Sequence, residues 1–389
     1  MAVDMINKKR KIIILLCLMV TITIFCVGLR IYYETFDVSG IVFYNNEKIE
    51  KIYSNYFRIY FITQDGKGYV AGDYSNSTYR KYRNAKFYSK NETDMPVSVC
   101  FFEGKISEII PYDRSAGAFF ITENLELYDM KDFKINKIAD DIIYASKDIY
   151  QNTIYYINNE NNLFVSSDGK TNKVASLEVE KIKVYRSDIY VLLCDGRFCK
   201  LLLDDNGNFT TIDLFHEKIQ DFDVVDTSIR FDGEKFVYDD QEAIENPLLN
   251  ILTKDGKLYV KGAYNLLSCA HRPSDNQPLP YNFDDWTSIG ENVNSFSTAP
   301  MGTIMKLNDD TCAYYGFDTN VDANSIFKYQ ILSIYNVEYV SAGALSVCIK
   351  DKEGIYYFYG DNSLNPVLEK HKNEHGIFSD NPLIKRTVG

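Results

Sequence analysis

NILTKDGKLYVKGAYN, residues 250–265, reads as an apolar strand, a tight Asp-Gly turn, a second strand and a closing glycine. Asp-Gly reaches positive φ at little cost, so such a turn between two apolar runs signals a hairpin. The pattern recurs along the chain. It returns at YFITQDGKGYVAGD (60–73), FFITENLELYD (119–129) and IYYINNENNLFVS (154–166). It returns again at IYVLLCDGRFCKLL (189–202), TIMKLNDDTCAYYGFD (303–318) and VCIKDKEGIYYFYGDN (347–362). Gly72, Gly262, Gly316 and Gly360 close equivalent strands, and the last two steps are 54 and 44 residues. The 190 residues between Gly72 and Gly262 hold four steps of about 48, with degenerate hairpins near 124, 161 and 196. IRFDGEKFVYDD (229–240) is an eighth candidate. It lies 23 residues before the next turn and reads as the outer hairpin of the preceding unit.

Repeats of roughly 45–55 residues with about four short strands each fit β-propeller blades. Both faces of a blade need covering, and a closed ring covers them. The expected fold is all-β, a seven-bladed β-propeller with eight blades as the alternative, preceded by one N-terminal transmembrane helix. A β-sandwich of many hairpins is the competing reading. The 31 tyrosines and 24 phenylalanines suit a strand-rich core.

The segments FDDWTSIGENVNSFSTAPMGTIMKLNDDTCAYYGFD and ILSIYNVEYVSAGALSVCIKDKEGIYYFYGDNS resemble repeats of the regulator of chromosome condensation type. The residues that carry the likeness are Asn336-Val337, Val340-Ser341-Ala342-Gly343, Lys352-Glu353-Gly354 and Gly360-Asp361-Asn362, with a second Ala-Gly at Ala116-Gly117. The likeness is clear over about 250–362, fair at 58–75 and 114–128, and poor between. It departs where the family has tryptophan before the closing glycine, since Ala71, Lys261, Tyr315 and Tyr359 stand there. The family's histidine after the Ala-Gly turn is Phe120 or Ser346. The resemblance implies a seven-bladed propeller with a narrow channel. It implies no single activity, because the family includes exchange factors, ligase-linked modules and inhibitors of other proteins. No segment matches the exchange factor's protruding wedge.

Residues 12–29, IIILLCLMVTITIFCVGL, are uncharged, and extension through Ile31, Tyr32 and Tyr33 gives a span of about 22 residues. KKRK precedes it, which places the N-terminus in the cytoplasm and the body outside. A cleaved signal peptide is the competing reading, but no small-x-small site follows the run. The expected organisation is a basic N-terminus (1–11), a signal-anchor helix (12–33), a tether (34–38), the propeller (39–365) and a polar tail (366–389). The strand SGIVFYNN (39–46) is a candidate clasp for the last blade. Net charge is −12; the first eleven residues carry +3 and Arg30 one more, leaving −16 on the rest. That acidity disfavours nucleic acid. The six cysteines beyond the span show no framework spacing and read as free thiols within strands.

The sequence offers no catalytic signature. His371 and His375 lie in a polar tail, and His216 and His271 are single residues in loops. Asp204-Asp205, Asp239-Asp240, Asp284-Asp285 and Asp309-Asp310 sit at turns. DDNGNFTTID (204–213) lacks the terminal glutamate of a calcium loop. No metal or cofactor is called for. Tyr74, Tyr264, His271, Tyr281 and Trp286, in or beside the longest loops, are the candidate recognition residues. The expected protein is a bacterial-type, membrane-anchored, non-catalytic scaffold. Its partners are the bilayer, through residues 12–33, and a protein or cell-wall component outside. A propeller glycan hydrolase using channel-facing carboxylates is the alternative. Cytoplasmic exchange-factor activity would require the opposite topology.

Overall fold

The computed structural model describes residues 48–360, apart from 55–57, 73–98, 113–116, 132–133, 149–151, 168–169, 186, 204–208, 226–228, 232–235, 239–246, 265–280, 301, 319–325 and 344–345, together with 385–387. The chain divides into two compact bodies, Met1–Val42 with Tyr74–Glu92, and Phe43–Asp73 with Thr93–Gly389. All the described residues belong to the second. The expected anchor helix, tether and N-terminal clasp strand lie outside the described residues. No helix among the described residues is long and apolar enough to cross a membrane.

The described body is an all-β propeller. Its strands form antiparallel four-stranded units in chain order. The first holds β1 (Ile49–Ser54), β2 (Arg58–Thr63), β3 (Gly68–Gly72) and β4 (Val99–Phe102). The second holds β5 (Ile106–Pro111), β6 (Gly117–Thr122), β7 (Leu127–Lys131) and β8 (Lys134–Ala139). Next come β9 (Ile142–Asp148), β10 (Thr153–Asn158), β11 (Asn162–Ser167) and the long β12 (Lys170–Tyr185). β12 serves two units. Its start pairs with β11, and from Val179 it pairs with β13 (Asp188–Leu193), which leads to β14 (Phe198–Leu203) and β15 (Phe209–Asp213). The fifth unit is β16 (Ile219–Val225), β19 (Leu248–Thr253), β20 (Leu258–Tyr264) and β21 (Tyr281–Gly290). The sixth is β22 (Val293–Ala299), β23 (Gly302–Leu307), β24 (Cys312–Asp318) and β25 (Ile326–Leu332). The seventh is β26 (Val337–Ala342), β27 (Ser346–Asp351), β28 (Ile355–Gly360) and β29 (Lys385–Thr387).

Two expectations are corrected here. Within the stretch 229–240, β17 (Ile229–Phe231) pairs with β18 (Phe236–Tyr238) as a separate two-stranded sheet, between β16 and β19 in chain order. It is an insertion within the fifth unit, because β16 already pairs with β19. The end of the expected polar tail is also not tail. Lys385–Thr387 pairs with β28, satisfying backbone groups that an edge strand would leave open.

The turn read in the opening stretch recurs once per unit. Gly66, Leu125, Asn161, Gly196, Gly256, Asp310 and Gly354 occupy the left-handed region, with φ between 59° and 89°. The turn is stitched by short bonds, as where Gly66 N donates to Thr63 O at 2.8 Å and Thr63 N to Lys67 O at 3.0 Å. The left-handed residue then reaches forward. Its carbonyl accepts the N–H of the first residue of the next inner strand, from Gly66 O with Ile106 at 2.9 Å through to Asp310 O with Val337 at 2.8 Å. Each of the first six hairpins therefore also locks its neighbour. Leu125 is the one branched aliphatic residue in this seat. The left-handed conformation costs it about 1–2 kcal/mol, against about 0.5–1 kcal/mol of extra unfolded-chain entropy for glycine. Leu125→Gly should raise stability by roughly 0.5 kcal/mol, read as a higher denaturant midpoint at constant slope.

Apolar clusters join successive units rather than filling one unit. Tyr60, Phe101, Ile109 and Phe120 share a cluster across units one and two. Val179, Val184, Ile157 and Leu163 join three to four, and Ile304, Tyr314, Val340 and Ile349 join six to seven. Full burial of a side chain such as Phe120 is worth about 1.5–3 kcal/mol. The gain is realised only when the next unit is in place. The seventh unit meets the first: Tyr339 Oη donates to Ile52 O at 2.6 Å, and Lys350 Nζ to Glu50 O at 3.2 Å.

Candidate functional site

Every inner strand opens on the same device. A buried Ile or Val comes first: Ile49, Ile106, Ile142, Val179, Ile219, Val293 and Val337. A break in register follows it, between Ile49 and Lys51, Ile106 and Glu108, Val179 and Lys181, Ile219 and Asp221, Val293 and Ser295, Val337 and Tyr339. The strand between Ile142 and Tyr144 shows it too. The bulged residue turns outward, and alternation from there sends every second side chain toward the axis.

These side chains line a central cavity of about 440 Å³. β1 contributes Lys51 and Tyr53, β5 Glu108 and Ile110, and β9 Tyr144. β12 contributes Lys181 and Lys183, β16 Asp223 and Val225, β22 Ser297 and Ala299, and β26 Tyr339 and Ser341. The charges pair between neighbouring strands. Lys51 Nζ lies 3.1 Å from Glu108 Oε2, Lys181 Nζ 2.7 Å from Asp221 Oδ1, and Lys183 Nζ 3.3 Å from Asp223 Oδ1. Burial opposes the charge on Lys181, but Asp221, with Tyr144 and Asp223, outweighs it and holds the ammonium above its ordinary pKa. Serine hydroxyls tie the strands, since Val184 N donates to Ser146 Oγ at 3.1 Å and Ala342 N to Ser297 Oγ at 2.9 Å.

Tyr53 is the exception in this well-paired channel. It is 9% exposed, and its hydroxyl has no hydrogen-bond partner among the described residues. Burial first, and the neighbouring Glu108 carboxylate second, keep its phenol protonated. The Glu108 carboxylate and the Ile109 backbone lie beside the hydroxyl, whose oxygen has no surface open to the channel.

The expected recognition residues fare differently. Tyr74 and His271 lie outside the described residues. Tyr264 is not a surface anchor: it is fully buried, and its hydroxyl meets Thr303 Oγ1 at 2.7 Å and Asn250 Oδ1 at 3.4 Å. A tyrosine next to a long insertion suggests a loop tip, but Tyr264 ends a strand that faces the sixth unit. Tyr281 is in strand β21, opposite Tyr264 in the register. Trp286 is half-buried in β21 and binds the fourth unit. Its Nε1 donates to Leu214 O at 3.1 Å, and its ring stands edge-on to Phe198 and Phe215. The sequence signal for the channel set is Ile/Val followed two residues later by a polar or aromatic residue, once in each unit.

Among the described residues no group of three or more His, Cys, Asp or Glu could hold a metal. Cys199, Cys312 and Cys348 are buried free thiols, and Cys194 is exposed. Burial pushes the Cys312 thiol up to about 12. His216 is exposed, with Nε2 3.2 Å from Glu217 Oε1.

No protein-family model matches the sequence, and no curated protein matches it. Solved structures do match. Prp20p of Saccharomyces cerevisiae, described for binding Gsp1p and histones, is 11% identical with a TM-score of 0.47, over 76% of this chain and 80% of that one. Human WBSCR16 is 8% identical with a TM-score of 0.49, over 77% and 86%. The β-propeller domain of Cps50 (Swd1) from Myceliophteria thermophila is 7% identical with a TM-score of 0.48, over 82% and 97%.

Proposed function

We propose that the seven four-stranded units are the complete ring, and that the protein is a non-catalytic scaffold which binds a protein or cell-wall partner outside a membrane. Residues 12–33 would anchor it, with the N-terminus in the cytoplasm. The observation that carries the binding role is an apolar strip on the sixth unit. Tyr329 and Ile331 alternate onto one face of the outermost strand β25, at 44% and 66% exposure, and Tyr335 follows at 68%. Tyr329 and Ile331 line a hollow together with Ser288, Gly290, Asn308 and Asp309. Exposed aromatic and aliphatic residues around a polar-edged hollow are the makings of a contact site.

The hydrolase alternative has less support. Glycoside hydrolysis needs a carboxylic acid that holds a proton beside a second carboxylate. The channel carboxylates Glu108 and Asp223 are each engaged by a lysine of the neighbouring strand rather than by a second carboxylate.

The full chain, immobilised in detergent, tests the reading against solubilised envelope proteins and wall fragments. Ile331→Asp should cut partner retention by roughly tenfold or more, with an unchanged melting temperature. Equal retention by the variant would remove this strip from the interface. Protease added to intact cells should digest the body; full protection would reverse the topology.

A further inference from the structure

We infer that the hollow on the sixth unit receives an arginine side chain of a protein partner, with its guanidinium against Asp309 and Glu291 and over the Tyr329 ring, and its stem along Ile331. The inference rests on the reading of that strip as the contact face. It narrows the occupant to a protein segment that carries arginine beside apolar residues. The hollow measures about 680 Å³, and its wall is fixed before any partner arrives. Two turns form one side, joined where Asn308 N donates to Asn292 O at 2.8 Å. Strand β25 supplies the other side through Tyr329 and Ile331. Six large apolar side chains are exposed among the described residues, and Tyr329, Ile331 and Tyr335 are three of them. Exposed apolar residues therefore gather here instead of scattering singly, which marks a contact surface.

Charge selects the occupant. The lining holds two carboxylates, Glu291 and Asp309, and no lysine or arginine. Neither has an ionic partner among the described residues, whereas Glu108 and Asp223 in the channel each face a lysine. The neighbouring cations are committed elsewhere, since Lys306 and Lys352 both pair with Asp310. Asp309 Oδ1 accepts Thr311 N at 3.1 Å and Thr311 Oγ1 at 2.6 Å. Those bonds hold its carboxyl below the ordinary pKa, so it is ionised, and they leave Oδ2 open. Burial first, and the Asp309 charge second, raise the Tyr329 phenol, which makes the carboxylate and the ring neighbours.

A carboxylate beside an aromatic face and an aliphatic side chain matches arginine in each of its parts. The guanidinium fork bonds carboxylates, its plane stacks on a ring, and its methylenes cover apolar surface. Lysine supplies the charge and the stem but not the plane. A phosphate-bearing wall polymer would be repelled by the same two carboxylates.

Surface plasmon resonance on the immobilised full chain, in a non-ionic detergent, tests this. The probes are capped decapeptides that differ only at the centre, where Leu-Arg-Leu is set against Leu-Lys-Leu, Leu-citrulline-Leu and Leu-Glu-Leu. The arginine peptide should bind with a Kd of about 1 mM or tighter, and added salt should weaken it. The lysine peptide should bind more weakly, and the citrulline and glutamate peptides roughly fivefold more weakly or worse. Glu291→Gln combined with Asp309→Asn should erase the preference for arginine over citrulline. The melting temperature should not change, because both acids are exposed and unpaired. Glu178→Gln combined with Glu180→Gln removes as much charge from exposed positions of β12 and should leave the preference intact. Equal binding of the arginine and citrulline peptides would overturn the proposal, as would a lysine peptide that binds as tightly as the arginine one. So would loss of the preference in the Glu178 and Glu180 variant, which would make the attraction a property of the whole acidic body. Retention of envelope proteins separates this inference from the one beneath it. If Ile331→Asp lowers retention and the Glu291 and Asp309 variant does not, the strip is the interface and the arginine seat alone is refuted. Equal retention by Ile331→Asp removes the strip and the seat together. Retention of wall fragments instead of protein, lost in Ile331→Asp, keeps the strip and refutes the seat.

Discussion

Asp129→Ala should destabilise the protein by about 3–5 kcal/mol, a fall in melting temperature of roughly 4–6 °C for a chain of this length. Asp129 in β7 is the shared acceptor of a buried triad between the second and third units. Tyr112 Oη donates to Asp129 Oδ1, and Lys147 Nζ from β9 lies 3.3 Å from Asp129 Oδ2. The ammonium also stands 5.0 Å over the Tyr112 ring. Burial and the adjacent Asp129 keep the Tyr112 phenol protonated, so it remains a donor. The side chains of Lys147 and Asp129 are 9% and 15% exposed, so water cannot replace the lost carboxylate. Alanine strands a buried cation and a buried hydroxyl together. The pairing itself contributes much less than its rupture costs, because desolvation offsets most of the attraction. Asp129→Leu combined with Lys147→Met should therefore recover most of the loss. Chemical denaturation of the three variants checks both claims. A loss under about 1 kcal/mol for Asp129→Ala would mean that solvent reaches Lys147.

The same contrast between local and cross-unit effects explains what was legible in the sequence. The turns were legible because their chemistry is local. Asp65-Gly66, Asp195-Gly196 and Asp255-Gly256 mark the left-handed seat directly, and Asn161 and Asp310 fill it with residues that tolerate it. The propeller followed from counting such turns. Turn chemistry does not place the strands at 229–231 and 236–238, because it says nothing of which strand pairs with which. The channel was hidden for a related reason. Lys51, Glu108, Lys181 and Asp223 look like the solvated charges of any strand, and only the register break after Ile49 and its counterparts turns them to the axis. Tyr264 and Trp286 look accessible in the sequence because both flank an insertion. Their partners, Thr303 and Leu214, come from neighbouring units 39 and 72 residues away in sequence. No window of sequence contains both ends of such a contact.

Gly262 is where a repeated sequence feature meets an unrepeated demand, and Gly262→Ala should cost roughly 3–5 kcal/mol. Four glycines close equivalent strands, which suggests one shared requirement. Gly262 has φ of +99°, and it sits at an irregularity in the β20–β21 register, between Val260 and Gly262. A Cβ there would lie 2.3 Å from Pro247 O and 3.1 Å from Leu248 Cα. Both are backbone atoms at the start of β19, so no rotamer change relieves the clash. The strand that would have to move is a central one, with Leu248, Ile251 and Leu252 fully buried. Gly354 is the fitting control. It also has positive φ, +81°, but a Cβ there meets nothing within 4 Å. Gly354→Ala should carry conformational strain alone, about 1–2 kcal/mol. Denaturant midpoints of the two variants separate the effects. Equal losses would mean that positive φ explains both positions and that β19 yields to the methyl group; a loss at Gly262 several times larger shows that backbone approach, beyond turn geometry, keeps this glycine.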